Sequence, residues 1–169
     1  MLTLEQLNAL PPFDAAEHLR ACCGSSRWVE ALVAARPFES LEAALAAADR
    51  IWWTTSPEDW NEALVCHPRI GETASQTRVS DTARGWSVKE QEAVAASEES
   101  TRRQLDSAIQ EYERKFGWIY VVFASGRGAQ ELLADLHTRM ANDPERERMV
   151  TAREQLAITE LRLRRMIST

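Results

Sequence analysis

Among the side chains able to do acid–base or nucleophilic work, this chain carries three histidines and three cysteines, and few sit in a pattern that does chemistry. The best placed is His67, in His67-Pro68-Arg69, where a helix gives way to a long polar stretch. Imidazole titrates near neutrality, and a following proline restricts the backbone that carries it, so a general acid–base role fits. The competing reading is a helix-end histidine that serves terminal carbonyls. Ser87-Val88-Lys89-Glu90-Gln91 matches the S-x-x-E capping box, so the spacing predicts a helix start at Ser87. Such a start would also offer free N–H groups and partial positive charge to a substrate carboxylate or carbonyl. Arg162 lies on the last helix between Ile158 and Met166, four residues away on either side. A guanidinium turned inward there needs a buried carboxylate or a bound anion, the alternative being a side chain snorkelling on the helix rim.

The other candidates are weaker. His137, between Leu133 and Ala141, reads as a packed core histidine, and His18, four residues after Asp14, as half of a surface pair. No H-E-x-x-H or C-x-x-C spacing is present, so no metal site is expected. Cys22 and Cys23 have no catalytic frame, and Gly126-Arg127-Gly128 is too short for a phosphate loop.

These residues must be positioned by helices. Alanine is abundant and β-branched residues are sparse outside 119–122, a composition that favours helix. Short helices are expected near 3–9, 13–22 and 27–35. Ser40 reads as the N-cap of a helix through Leu41, Leu45, Ala48 and Trp52, and Ser56-Pro57-Glu58-Asp59 as the start of another. Residues 68–86 read as a long excursion, followed by one helix from Ser87 to about Lys115 with Gly117 as its C-cap. Trp118 to Phe123 reads as extended and buried, with no second strand to pair it. Helices near 129–140 and 144–166 close the chain. The fold class expected is therefore all-α: one domain over 1–169, a bundle of about seven to nine helices with an extended buried segment near 118–124.

Length and charge agree. A chain of 169 residues with 44% hydrophobic and 27% charged residues suffices for one core. The net charge of −6 argues against a general nucleic-acid binder. Three cysteines, two of them adjacent, fit reduced thiols in a reducing compartment. The first residues lack a signal-peptide pattern, the last three lack a peroxisomal address, and no apolar run is long enough to span a bilayer. A cytoplasmic protein without membrane or nucleic-acid partners is expected.

The ordered set Arg36-Pro37-Phe38, His67-Pro68-x-Ile70-Gly71, Ser87-x-x-Glu90-Gln91, Lys115-Phe116-Gly117, Arg139-x-x-Asn142 and Leu161-Arg162-Leu163 resembles the 2-oxo-4-hydroxy-4-carboxy-5-ureidoimidazoline (OHCU) decarboxylases of urate degradation. The resemblance covers nearly the whole chain. It implies an all-helical, cofactor-free carboxy-lyase, generally a homodimer, that makes (S)-allantoin and CO2 in purine catabolism. Carried over, it makes His67, Glu90 and Arg162 catalytic, and Pro68, Ser87 and Gln91 substrate-binding. Tyr120, Val121, Val122, Phe123 and Ala124 match a segment that meets the substrate partly through its backbone. Two departures stand out: Trp118-Ile119 replaces a common Phe-Pro, and Ser125 stands where a basic residue often follows.

The chemistry can be weighed apart from the resemblance. The substrate's carboxylate sits on a hydroxyl-bearing carbon beside a C=N bond, which can accept the electrons released with CO2 without metal, pyridoxal phosphate or thiamine. The protein must hold an anion, manage one hydroxyl proton and return a proton to one face. His67 and Glu90 suit the proton traffic, with His67 favoured for the final proton, and Arg162 and the helix start at Ser87 suit charge placement. Two rivals remain at this stage: a helical interaction module without catalysis, and a cyclic-ureide hydrolase of the same pathway.

Overall fold

A computed structural model describes residues 2–67, 69–70 and 80–168. Pro68 and most of the expected excursion therefore lie outside the described residues. Among those described there are ten helices and one pair of very short parallel strands, so the all-α expectation holds with more helices than the seven to nine foreseen. No described helix is long and apolar enough to cross a membrane. The chain gathers into two compact units, residues 1–66 with 156–169 and residues 67–155, which are taken one at a time.

The first unit contains β1 (Leu2–Thr3), α1 (Leu4–Ala9), α2 (Pro12–Cys22), α3 (Ser26–Ala34), α4 (Leu41–Thr54), α5 (Pro57–Leu64), the end of α10 (Pro144–Met166) and β2 (Ile167–Ser168). Its helices begin where local chemistry says they should. The Thr3, Ser25, Ser40 and Ser56 hydroxyls each accept a backbone N–H three residues on, and at Thr3 and Ser56 the box is closed by Gln6 and Asp59. Each such bond satisfies an N–H that the helix itself leaves orphaned. The buried faces supply Leu7, Leu19, Trp28, Leu32, Trp52 and Leu163 to an apolar core. Arg36 donates to Leu10 O at 3.0 Å, and Phe38 exchanges backbone hydrogen bonds with the Asn8 amide at 2.8 and 2.9 Å. The Arg36-Pro37-Phe38 motif thus ties the α3–α4 connection to α1. β1 and β2 pair Leu2 with Ile167 and Thr3 with Ser168, a contact between sequence-distant residues that the local pattern does not reveal.

The second unit contains α6 (Asp81–Glu90), α7 (Glu92–Ala95), α8 (Glu99–Phe116), α9 (Ala129–Arg139) and the first part of α10. Here the expected single helix from Ser87 is corrected. α6 starts at Asp81, capped by the Ser80 hydroxyl on Ala83 N–H, and the chain breaks at Gln91 and again before Glu99. The S-D-x-A start at Ser80 carries an equally good cap signal with an acid in the first turn, and it wins because Ser87 turns inward. Gly117, at φ 80°, terminates α8 in the left-handed conformation that glycine adopts without a Cβ penalty. Leu105, Ile109, Tyr112 and Phe116 of α8 pack with Leu132 and Leu136 of α9 around the extended segment's Tyr120, Val122 and Ala124. The segment pairs with no strand among the described residues, as expected.

Candidate active site

His67 begins the second unit as a half-buried side chain. The chain beyond Pro68 is anchored twice: Arg69 forks onto the Glu113 carboxylate of α8 at 2.9 and 3.0 Å, and Ile70 is buried in the core. A bidentate guanidinium–carboxylate pair fixes direction as well as distance. It therefore limits where the backbone carrying His67 can go.

The S-x-x-E-Q residues lie at the C-terminal end of α6, not at a helix start. Ala83, Ser87 and Glu90 form the buried face of that helix, and Gln91 closes it, its N–H directed to Ser87 O and Val88 O. Ser87 Oγ donates back to Ala83 O at 3.0 Å. The capping reading of Ser87 and Glu90 is thus wrong, and so is the idea that a helix N-terminus at Ser87 places positive charge. A helix end of this kind presents carbonyls and partial negative charge. What the arrangement offers is a carboxyl group, Glu90, buried at 7% exposure beside a buried hydroxyl one turn earlier.

In the first unit Arg162 is 4% exposed and flanked by buried Ile158 and Met166, so the guanidinium is inward and the rim reading falls. Arg164 is exposed. Burial pushes the Cys22 and Cys23 thiols up, Cys23 to about 12, and the Arg162 charge opposes that rise in both. These thiols stay protonated and unreactive near neutrality. His137 is exposed rather than a packed core histidine, because the inward positions of α9 are Leu132, Leu136 and Arg139.

That inward arginine is the group the sequence reading undervalued. Arg139, 4% exposed, donates from Nε to Glu147 Oε1 at 2.7 Å, from Nη1 to Val121 O at 2.9 Å and from Nη2 to Thr151 Oγ1 at 3.1 Å. Tyr112 donates its hydroxyl to Glu147, and Asn142 Nδ2 donates to the other carboxylate oxygen at 2.7 Å. Burial, offset by Arg139 and reinforced by Glu147, drives the Tyr112 hydroxyl up to about 12. Lys115 Nζ donates to Asn142 O at 3.0 Å and to Met140 O, past the end of α9. The Lys115 and Arg139-x-x-Asn142 motifs are therefore braces. The Trp118 departure joins them, since its indole N–H, which a phenylalanine lacks, donates to Tyr112 Oη at 3.2 Å.

The signal that could have revealed this lies on α10. Glu147, Thr151, Gln155, Thr159 and Arg162 recur at three- and four-residue spacing, and all are buried. A helix line of polar residues turned inward asks for partners at every step. Read as one stripe instead of one arginine, it marks from sequence a helix whose inward face needs polar partners.

The family model described as OHCU decarboxylase matches residues 8–164. A protein of Arabidopsis thaliana named uric acid degradation bifunctional protein TTL is 37% identical over 150 residues, which is 88% of this chain and 46% of that protein. This chain thus spans less than half of that relative. The 2-oxo-4-hydroxy-4-carboxy-5-ureidoimidazoline decarboxylase of Haloferax volcanii is 25% identical over 99% of this chain and 98% of its own length. A crystal structure of OHCU decarboxylase in the presence of (S)-allantoin superposes with a TM-score of 0.77 at 32% identity, covering 90% of this chain and 99% of that one. A structure of (S)-allantoin synthase, 21% identical with a TM-score of 0.75, shares the fold.

Proposed function

The chain belongs to the OHCU decarboxylase family, and on that premise we propose that it removes CO2 from 2-oxo-4-hydroxy-4-carboxy-5-ureidoimidazoline and leaves (S)-allantoin. The observation that carries this reading is a match from residue 8 to residue 164, reciprocated over 98% of the Haloferax enzyme. In the reaction the carbon–carboxylate bond breaks, and its electron pair forms a C=C bond as the C=N pair moves onto nitrogen, which takes up a proton. The hydroxyl then gives up its proton to become a carbonyl while the former C=N carbon takes one on one face. Each residue has a task in that sequence. His67 manages the protons, and Glu90, a buried carboxylate, holds one imidazole tautomer. Arg162, already desolvated, meets the substrate's negative charge with a planar fork that lysine lacks. Ser87, Gln91, Pro68 and the segment from Tyr120 to Ala124 bind and orient. The electron sink is in the substrate, so the reading needs no cofactor. It further takes the protein to be cytoplasmic, to act as a homodimer, and to recognise this small molecule and neither nucleic acid nor membrane.

The test is direct. Purified protein, exhaustively treated with EDTA, is mixed with freshly generated urate-oxidation product, and the circular dichroism of allantoin is followed. Turnover giving the S enantiomer is expected, and His67→Asn should lose about 10²–10⁴-fold while remaining folded. Activity restored only by added metal would favour the hydrolase, and a folded protein without turnover would favour the interaction module.

A further inference from the structure

Unlike Gly117 and Gly126, Gly24 has no positive φ, so its backbone conformation does not by itself call for a glycine. Its neighbour does. A Cβ built on Gly24 would lie 2.7 Å from Cys66 Cβ and closer still to Cys66 Sγ, with Glu62 O at 3.5 Å. No real side chain fits there, so the bare backbone of Gly24 is the floor on which Cys66 rests. Both residues belong to the first unit. The floor is rigid: Cys23 N–H donates to Leu19 O at 3.1 Å, the Ser25 hydroxyl accepts Trp28 N–H at 3.3 Å, and Cys23 and Ser25 are both buried. Turning the thiol to another rotamer would move Sγ but not Cβ. Any crowding at Gly24 must therefore be relieved by the backbone of Cys66.

A second contact lies alongside. Glu62, one helical turn before Cys66, accepts Ser26 N–H at 2.8 Å and the Ser26 hydroxyl at 2.6 Å, and Arg20 Nη1 donates to that same hydroxyl at 3.2 Å. A carboxylate on the free N–H at the start of α3 is well placed for the helix dipole, and it pins the last turn of α5. Cys66 closes that turn, its N–H donating to Ala63 O at 3.3 Å and its thiol to Glu62 O at 3.5 Å. Residues 62–66 are thus held at two points by residues 24–26. The next residue in the chain is His67.

We propose that Gly24 and Glu62 are positioning residues for the reaction: by seating Cys66 they fix the backbone from which the His67 imidazole is presented. The seat works by shape, and the thiol takes no part in proton transfer. The Arg69 fork onto Glu113 restrains the same stretch of chain from its other flank. The inference rests on the functional reading above, in which His67 manages the protons.

Gly24→Ala pushes Cys66 off its seat. It should lower kcat by about tenfold or more with KM changed far less, because a displaced acid–base group costs rate more than binding. Moving the bulk instead of adding it, in Gly24→Ala/Cys66→Gly, vacates the space and should restore kcat to within about threefold of wild type. The three histidines give three imidazole signals in NMR spectra, and the one missing from His67→Asn is that of His67. That signal should move in Gly24→Ala and return in the double variant, while the His137 signal stays in place. Glu62→Ala, at an exposed position, should move the His67 signal too and lower kcat by about threefold. Wild-type kcat in Gly24→Ala, with only the melting temperature lowered, would leave the contact as packing and overturn the proposal. A double variant as impaired as the single one would overturn it as well, since the loss would not come from the contact. If Gly24→Ala fails to fold, Glu62→Ala decides: an unmoved His67 signal with unchanged kcat sinks the idea. Absence of turnover in the wild type would overturn the functional reading and this inference with it, whereas an active wild type with an equally active Gly24→Ala protein would overturn this inference alone.

Discussion

The two compact units hold themselves together by different means. In the first, the starts of α1, α3, α4 and α5 are closed by side chains three residues away, the core is mainly apolar with Thr159 and Arg162 buried in it, and its buried cysteines behave as small hydrophobes. In the second, α6 is capped by Ser80 but α7 and α8 begin without a side-chain cap, and the first N–H of α9, at Ala129, donates to the Ser97 hydroxyl, 32 residues away in sequence. Its centre is the buried Arg139–Glu147 pair with Tyr112, Thr151 and Asn142 around it. A buried charge pair beside an apolar cluster carries a desolvation cost that only complete pairing offsets, so that part of the core tolerates less change than the apolar part. It gains direction in exchange. The same guanidinium that meets Glu147 also orients the backbone of Val121.

The largest expected effect breaks the second unit. Glu147→Ala takes the nearest carboxylate from buried Arg139, leaving it only the longer contact with Asp135 at 3.7 Å, and should cost about 3 kcal/mol in chemical denaturation. Replacing both partners together, as Arg139→Met with Glu147→Leu, should cost less than the two single changes summed. Strict additivity in that cycle would show that the pair is not a unit.

A smaller effect sharpens the view of the first unit. The Cys22 and Cys23 thiols have folded-state pKa values raised above the ordinary value of 9.0, by burial first. Above pH 9 the unfolded chain therefore loses protons that the folded chain keeps, and stability falls as pH rises toward the folded values. Between pH 9 and pH 10 the loss should be about 1 kcal/mol per thiol, and Cys23→Val should flatten the slope seen in melts across that range. An unchanged slope in Cys23→Val would mean that the thiol is not the titrating group.

The smallest contrast concerns two serines that look alike in sequence. Ser56→Ala removes a working cap and should cost about 1 kcal/mol. Ser87→Ala removes a hydroxyl bonded back to its own helix and should change stability by less than about 0.5 kcal/mol, with any loss falling on activity. Equal thermal shifts in the two variants would restore the capping role that the fold denies to Ser87.

While it left Arg162 open between an inward and a rim position, sequence by itself determined the all-α class, the starts of α4 and α5, the end of α8 at Gly117, the start of α10 after Asp143 and the extended segment. Each of these depends on residues within about one helical turn of one another, or on a strongly periodic pattern, and such signals survive without knowledge of neighbours. Tertiary structure alone decided between Ser80 and Ser87 as the start of α6, because both carry local cap chemistry and only packing shows which one faces inward. It alone decided that Arg139 and not His137 is the buried polar residue of α9, since its acceptors come from Val121, Glu147 and Thr151, outside the helix that carries it. The edge of the extended segment was decided in the same way. Nothing near Phe123 in the chain shows that its N–H will be met by Glu154, 31 residues later. A hydrogen bond between distant residues leaves no periodicity to read. Its cost or gain is set by burial, and burial exists only once the helices have packed.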